Sequence, residues 1–167
     1  MRTRSILVLP LAGLVLTACG GVTVTTHPQG APACTAGDIK ALPAIPTPPP
    51  LGTVAVRVSV ANMGDYPCTI TGAPHVAIGG LSPQPRNLVV TPSGPADQVV
   101  LAPGDQAVTT IASPMGTDFT CAAGTAPTRP PVLLVGVPQD LVAMKMADGT
   151  NFTECGDAVT VSPWQAL

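Results

Sequence analysis

The sequence predicts an all-β domain, an immunoglobulin-like antiparallel β-sandwich closed by two disulfides. Three observations carry this. The segment Thr53 to Ala61 alternates strictly, with Val54, Val56, Val58 and Val60 on one face and Ala55, Arg57 and Ser59 on the other, the period-two pattern of a half-buried strand. Short runs rich in β-branched residues then recur between clusters of Gly, Pro, Asn and Asp, with no long stretch of helical period. Four cysteines, Cys34, Cys68, Cys121 and Cys155, remain once an N-terminal export signal and the cysteine that follows it are set aside.

That signal occupies residues 1–18. Arg2 and Arg4 precede the apolar run Ile6 to Leu16, and Leu16-Thr17-Ala18-Cys19 closes it with small residues before a cysteine. The run falls short of the roughly 20 residues a spanning helix needs, and Pro10 and Gly13 weaken it further. The order resembles the lipobox of bacterial lipoproteins, in which the thiol of the cysteine is joined to diacylglycerol before cleavage. Cys19 is thus the expected lipid attachment site and the first residue of the mature chain, which the acyl chains would hold on the extracytoplasmic face of the cell membrane. Residues 19–33 follow as the lipidated N-terminus and a tether of small and polar residues, with a reach of roughly 20 Å for about 14 residues. Residues 34–167 are long enough for one domain with its own core.

Within that domain the runs expected as strands after Thr53 to Ala61 are Cys68 to Thr71, His75 to Ile78, Asn87 to Thr91, Asp97 to Leu101, Ala107 to Ala112, Val132 to Val137, Leu141 to Met146 and Val159 to Val161. Turn formers separate them, among them Asn62-Met63-Gly64-Asp65, Gly79-Gly80, Ala102-Pro103-Gly104-Asp105 and Asp148-Gly149. Two packed antiparallel sheets bury one face of each hairpin, and a small closed barrel is the alternative. The proline-rich stretch Pro43 to Pro50 fits a stiff connection into the Thr53 strand better than a partner-binding polyproline segment. Four exported cysteines allow three pairings. Joining neighbours, Cys34 with Cys68 and Cys121 with Cys155, closes two loops of similar length and is the expected arrangement. Neither a zinc nor a redox site has the close cysteine pair it needs.

Cys34-Thr35-Ala36-Gly37-Asp38-Ile39, the stretch Asn62 to Pro74, and Leu101-Ala102-Pro103-Gly104-Asp105 carry a resemblance, completed by Cys121, Cys155-Gly156 and Val159 to Trp164. The chain resembles domain-of-unknown-function family 4232 of actinobacterial lipoproteins, most specifically in the spacing of Asn62, Cys68 and Gly72. It departs at Met63, where a small polar residue would be expected, and in the extra prolines of residues 43–50. The resemblance implies a cell-envelope location and supplies no catalytic residues to carry over.

Composition narrows the chemistry. The formal net charge of −2 falls to about −4 once Arg2 and Arg4 leave with the signal, and the remaining cations are scattered, so a nucleic-acid partner is not expected. Beyond the tether residue His27, the one histidine is His75, with no nucleophile or carboxylate motif attached to it, and no enzymatic activity is expected. The acidic residues sit mostly in turn-like segments, including Asp38, Asp105, Asp148, Glu154 and Asp157, where local backbone hydrogen bonds explain them. Met144 and Met146, with His75 and Met115, offer soft ligands for copper, although methionines on an apolar strand more often fill a core. Asn151-Phe152-Thr153 matches a glycosylation acceptor and fits ordinary loop sequence behind a bacterial signal. The expectation is an envelope lipoprotein acting as a non-catalytic binding or interaction module with an unidentified envelope partner. No cofactor is expected, and a small-ligand or copper carrier is the alternative.

Overall fold

The computed structural model describes residues 30–48, 53–115, 120–121, 126–138 and 140–167. The signal segment, Cys19 and the tether as far as residue 29 lie outside the described residues. Among the described residues every regular element is a strand.

The alternating valines form β3 (Thr53–Asn62), which buries Val56, Val58 and Val60 and exposes Arg57. Its partner β9 (Gln106–Pro114) repeats the alternation, with Ala107, Thr109, Ile111 and Ser113 turned inward. The two pair antiparallel along their length, from Thr53 opposite Pro114 to Ala61 opposite Gln106. This long pair is the spine of a seven-stranded sheet. On its β3 side lie β1 (Ile39–Ala41) and β2 (Ile45–Thr47), two pieces of one passage along the strand. The passage breaks at Pro43, which has no N–H to donate, and Ala44 instead bonds Lys145 O and Ala147 N. On the β9 side β12 (Ala158–Val161) and β13 (Gln165–Ala166) are likewise one passage, interrupted at Pro163.

The expectation for Pro43 to Pro50 therefore needs correction. Part of the stretch is a strand, with Pro46 opposite Val56. Proline is tolerated there because β2 lies on an outer edge, where a missing donor breaks no ladder on its far side.

The second sheet runs β11 (Asp140–Met144), β10 (Val132–Val137), β5 (Val76–Gly79), β6 (Arg86–Asn87), and a two-stranded ribbon joins β4 (Cys68–Thr71) to β8 (Gln98–Leu101). The sheets and the ribbon share one apolar core, which includes Val58, Ile70, Val76, Leu101, Ile111, Val135 and Val161. Aliphatic side chains dominate it, and Phe152 and Trp164 are its large aromatic members.

The all-β class and both disulfides agree with the sequence. One strand pair departs from the antiparallel expectation: β7 (Val89–Pro92) runs parallel to β12. The run expected as one strand over Asn87 to Thr91 changes sheets at buried Leu88, whose N–H bonds Val76 O, while the next N–H, of Val89, bonds Asp157 O. The chain thus reaches the edge of the first sheet already heading in the direction of β12.

The disulfides join Cys34 to Cys68 and Cys121 to Cys155, each across a separation of 34 residues. They sit at opposite ends of the β3–β9 spine, about 27 Å apart along β9 at 3.4 Å per residue. Cys68 lies opposite Leu101, whose carbonyl accepts from Asn62 at one end. Cys155 N donates to Ser113 Oγ (2.9 Å) at the other. The tether expected to reach Ala33 ends earlier. Residues 31–34 lie alongside β4 in the same direction, with Thr69 N donating to Pro32 O (2.7 Å) and Cys34 N to Thr69 O (2.9 Å).

Candidate functional site

The first concentration of polar chemistry is at the end where β3 stops. Asn62 is the last residue of that strand and is fully buried. Its carboxamide nitrogen donates to Tyr66 O and Leu101 O, both at 2.9 Å, and its Oδ1 accepts from Gly64 N at 2.9 Å. Its backbone is used as well, N to Asp105 O (2.9 Å) and O from Gly104 N (2.8 Å). One residue therefore ties together the 62–66 turn and the 101–105 turn. The Cys34 to Ile39 segment joins them through Met63 N, which donates to Asp38 O (2.6 Å). A Cβ at position 64 would stand 3.0 Å from Asp38 Oδ1 and 3.2 Å from Asn62 Oδ1, so any larger residue there would have to displace these side chains by a few tenths of an ångström.

The Asp38 side chain in turn accepts from Thr35 N and Thr35 Oγ1, and these hydrogen bonds hold its carboxyl below the usual carboxylate range. Asp105 closes its own turn through Ala102 N, and Asp148 through Thr150, whose hydroxyl and N–H lower the Asp148 carboxyl in the same way. The turn chemistry expected of the aspartates holds at these three positions. The result is a short braced loop whose tip turns Met63 and Tyr66 outward, 63% and 79% exposed. Replacing Asn62 by Ala removes three side-chain bonds and should cost about 2 kcal/mol, the scale of stranding buried backbone groups. Urea unfolding would measure the loss, and amide exchange at residues 63–66 should accelerate more than exchange along β10.

The second concentration lies at the opposite end. Glu154, the only glutamate in the chain, is 1% exposed, and its Oε2 meets Arg86 Nη2 at 3.2 Å while its Oε1 accepts from Asp157 N at 2.6 Å. Arg86 also pairs with the Asp157 carboxylate. Asp157 adopts φ of 59°, a left-handed conformation unfavourable for a residue with a Cβ. Three bonds hold it there: its N–H to Glu154, its carbonyl from Val89 N (2.8 Å), and its side chain to Arg86. The cluster fastens β6, β7 and the start of β12 beside the Cys121–Cys155 bond. Turn chemistry alone, as expected from the sequence for Glu154, does not describe a buried ion pair. The signal available was that the chain's one longer carboxylate stands directly before a cysteine.

The cysteine positions expected as disulfides are all paired, and Cys19 lies outside the described residues. The soft-ligand candidates are not brought together. Met144 is buried in the core opposite Leu133, and Met146 packs against the same core. His75 is exposed and adjoins Gly136, three residues further along β10, about 10 Å from Leu133. Met115 follows the end of β9. The small hollow lined by His75 and Trp164 lies near its start, because Gln165 pairs with Val108, and about 23 Å of strand separates the two. Beside the Thr128–Glu154 bridge an open polar groove of ≈ 480 Å³ is lined by Arg129, Gly149, Thr150, Asn151 and Thr153. It offers hydrogen-bond donors and acceptors with one cation.

A family model described as a domain of unknown function (DUF4232) matches residues 34–165. The chain belongs to the DUF4232 family. In this DUF4232 domain the segments that carry the resemblance in sequence converge in space, since Cys34 to Ile39, Asn62 to Cys68 and Leu101 to Asp105 all meet around Asn62. Gly72, the third residue of the distinctive spacing, has φ of +70° and accepts Trp164 N through its carbonyl (3.0 Å), which ties the C-terminal part of the pattern to the same frame. The pattern is accounted for as architecture. A comparison with curated proteins finds no match.

Proposed function

We propose that this DUF4232 chain is a cell-envelope lipoprotein, held by lipid on Cys19 at the extracytoplasmic face of the membrane, where it serves as a non-catalytic binding or interaction module. The observation that carries the reading is an apolar signal ending in Leu16-Thr17-Ala18-Cys19 ahead of a domain closed by two disulfides. Such bonds persist in oxidising compartments, which is where the signal would deliver the chain. The non-catalytic part is supported by where the polar groups are spent. Asn62 and Glu154, the two buried polar side chains with the most partners described above, have their bonds turned inward to hold the ends of the fold. The polar groove beside Arg129 is the surface whose chemistry suits a hydrogen-bonding or anionic partner.

Partition of cell extracts in a cloud-point detergent tests the anchor. The wild-type chain should enter the detergent phase, because two acyl chains hold far more strongly than one. Cys19→Ala should move to the aqueous phase, and equal aqueous partition of both proteins would refute the anchor.

A further inference from the structure

We propose that the Met63 to Pro67 loop docks on the lipid surface to which the chain is anchored, seating Met63 and Tyr66 at the level of the headgroups. The inference rests on the Cys19 anchor proposed above and adds a second, non-covalent membrane contact.

The entry point of the chain decides which end faces the bilayer. Residues 31–34 run parallel to β4, with Ala33 beside Thr69 and Pro32 bonded to Thr69 N. Going back from Ala33 toward Gly30 therefore leads toward Pro67 and Tyr66. About 11 residue steps separate Gly30 from Cys19, a span of about 18 Å for a chain of small and polar residues. The opposite end lies about 27 Å further along β9, beyond that typical span and about 70% of the full reach of such a tether, so contact through that end would stretch it. The tether therefore favours the end carrying the Met63 to Pro67 loop as the one nearer the lipid.

The side chains there suit that position. Tyr66 is the only tyrosine of the chain, and it stands out from the fold with its ring exposed. Tyrosine favours the membrane interface because its ring is apolar and its hydroxyl stays hydrated. Met63 is exposed beside it on the same turn. Asn62 fixes the turn from below, so docking orders little that is not already ordered. The nearby carboxylates are Asp38, which accepts from Thr35, Asp105, which accepts from Ala102 N, Asp140, which accepts from Ala36 N, and exposed Asp65 at the tip. Their charges resist entry into hydrocarbon and keep the contact shallow. Lys40, exposed on β1 one residue from the partner of Asn62, can reach lipid phosphate from the side.

The test uses the full lipidated chain in phosphatidylcholine vesicles carrying a nitroxide either at the headgroup or deep on the acyl chain. Tyr66→Trp places an indole on the loop, and Val89→Trp places one at the opposite end, where Val89 is 66% exposed. The native Trp164 is 2% exposed and contributes the same background to both. The headgroup label should quench the new indole of Tyr66→Trp about twofold more than that of Val89→Trp, and more than the deep label does. Protein that floats with the vesicles but shows equal quenching at both positions overturns the docking and leaves the anchor standing. The loop would then be free in solvent for a protein partner. Protein that does not float overturns the anchor and the docking together.

Discussion

Replacing Cys34 and Cys68 together by alanine should lower the unfolding free energy by about 4 kcal/mol. In the chain-entropy model the cost depends on the length of the loop closed in the unfolded chain, and a separation of 34 residues gives about that value. Domains of this size have only about 5–15 kcal/mol in all, so the variant would be marginal at growth temperature. The second bond closes a loop of equal separation, and the Cys121→Ala, Cys155→Ala pair should cost a similar amount. Urea unfolding, extrapolated to water because loss of a cross-link also expands the unfolded state, measures both. A much smaller loss at either end would mean that the local hydrogen bonds, at Asn62 or at Glu154, already hold that end without the bond.

Arg86→Ala should destabilise the domain by about 3 kcal/mol, near the lower bound for stranding one member of a buried ion pair. The asymmetry of the pair sets this estimate. Glu154 is buried, whereas the Arg86 side chain is 40% exposed, so water admitted by its removal can partly solvate the abandoned carboxylate. Arg86→Lys should restore only part of the loss, since one ammonium cannot hold Glu154 and Asp157 at once as the guanidinium fork does. Replacing Arg86 and Glu154 together by leucine should cost less than Arg86→Ala alone, because no charge is then left buried. Urea unfolding checks all three, and adding Arg86→Leu and Glu154→Leu singly completes a double-mutant cycle with the leucine pair. Additive losses would show that the pair does not couple.

The strands were legible in the sequence wherever one face is buried and the other wet. β3, β4, β8, β9 and β10 follow from alternation or β-branched runs, because burial on one side forces a period of two on the side chains. β1, β2 and β13 were not, and of β6 only Asn87 fell within an expected run. Each is only two or three residues long, too short to show a period, and β2 contains a proline that reads as a breaker unless the strand is known to be an edge. The sequence allows three disulfide pairings, and the nearest-neighbour one that was expected is the one found. The two polar centres were not, for a common reason. Asn62 and Glu154 look like turn residues in sequence, and only the convergence of distant segments shows that they are buried. Asn62 reaches Leu101 across 39 residues, and Glu154 reaches Arg86 across 68. The copper alternative drew on residue types, and the register of β10 keeps those residues apart.

The proposed function stands or falls with Cys19, which would begin the mature chain and carry the lipid from which the domain hangs. The intact mass and N-terminal peptide of the protein purified from membranes test it most directly. The expected product is a chain lacking residues 1–18, beginning at a Cys19 that carries a thioether-linked diacylglycerol. A mature chain that begins elsewhere, or at an unmodified Cys19, would contradict it.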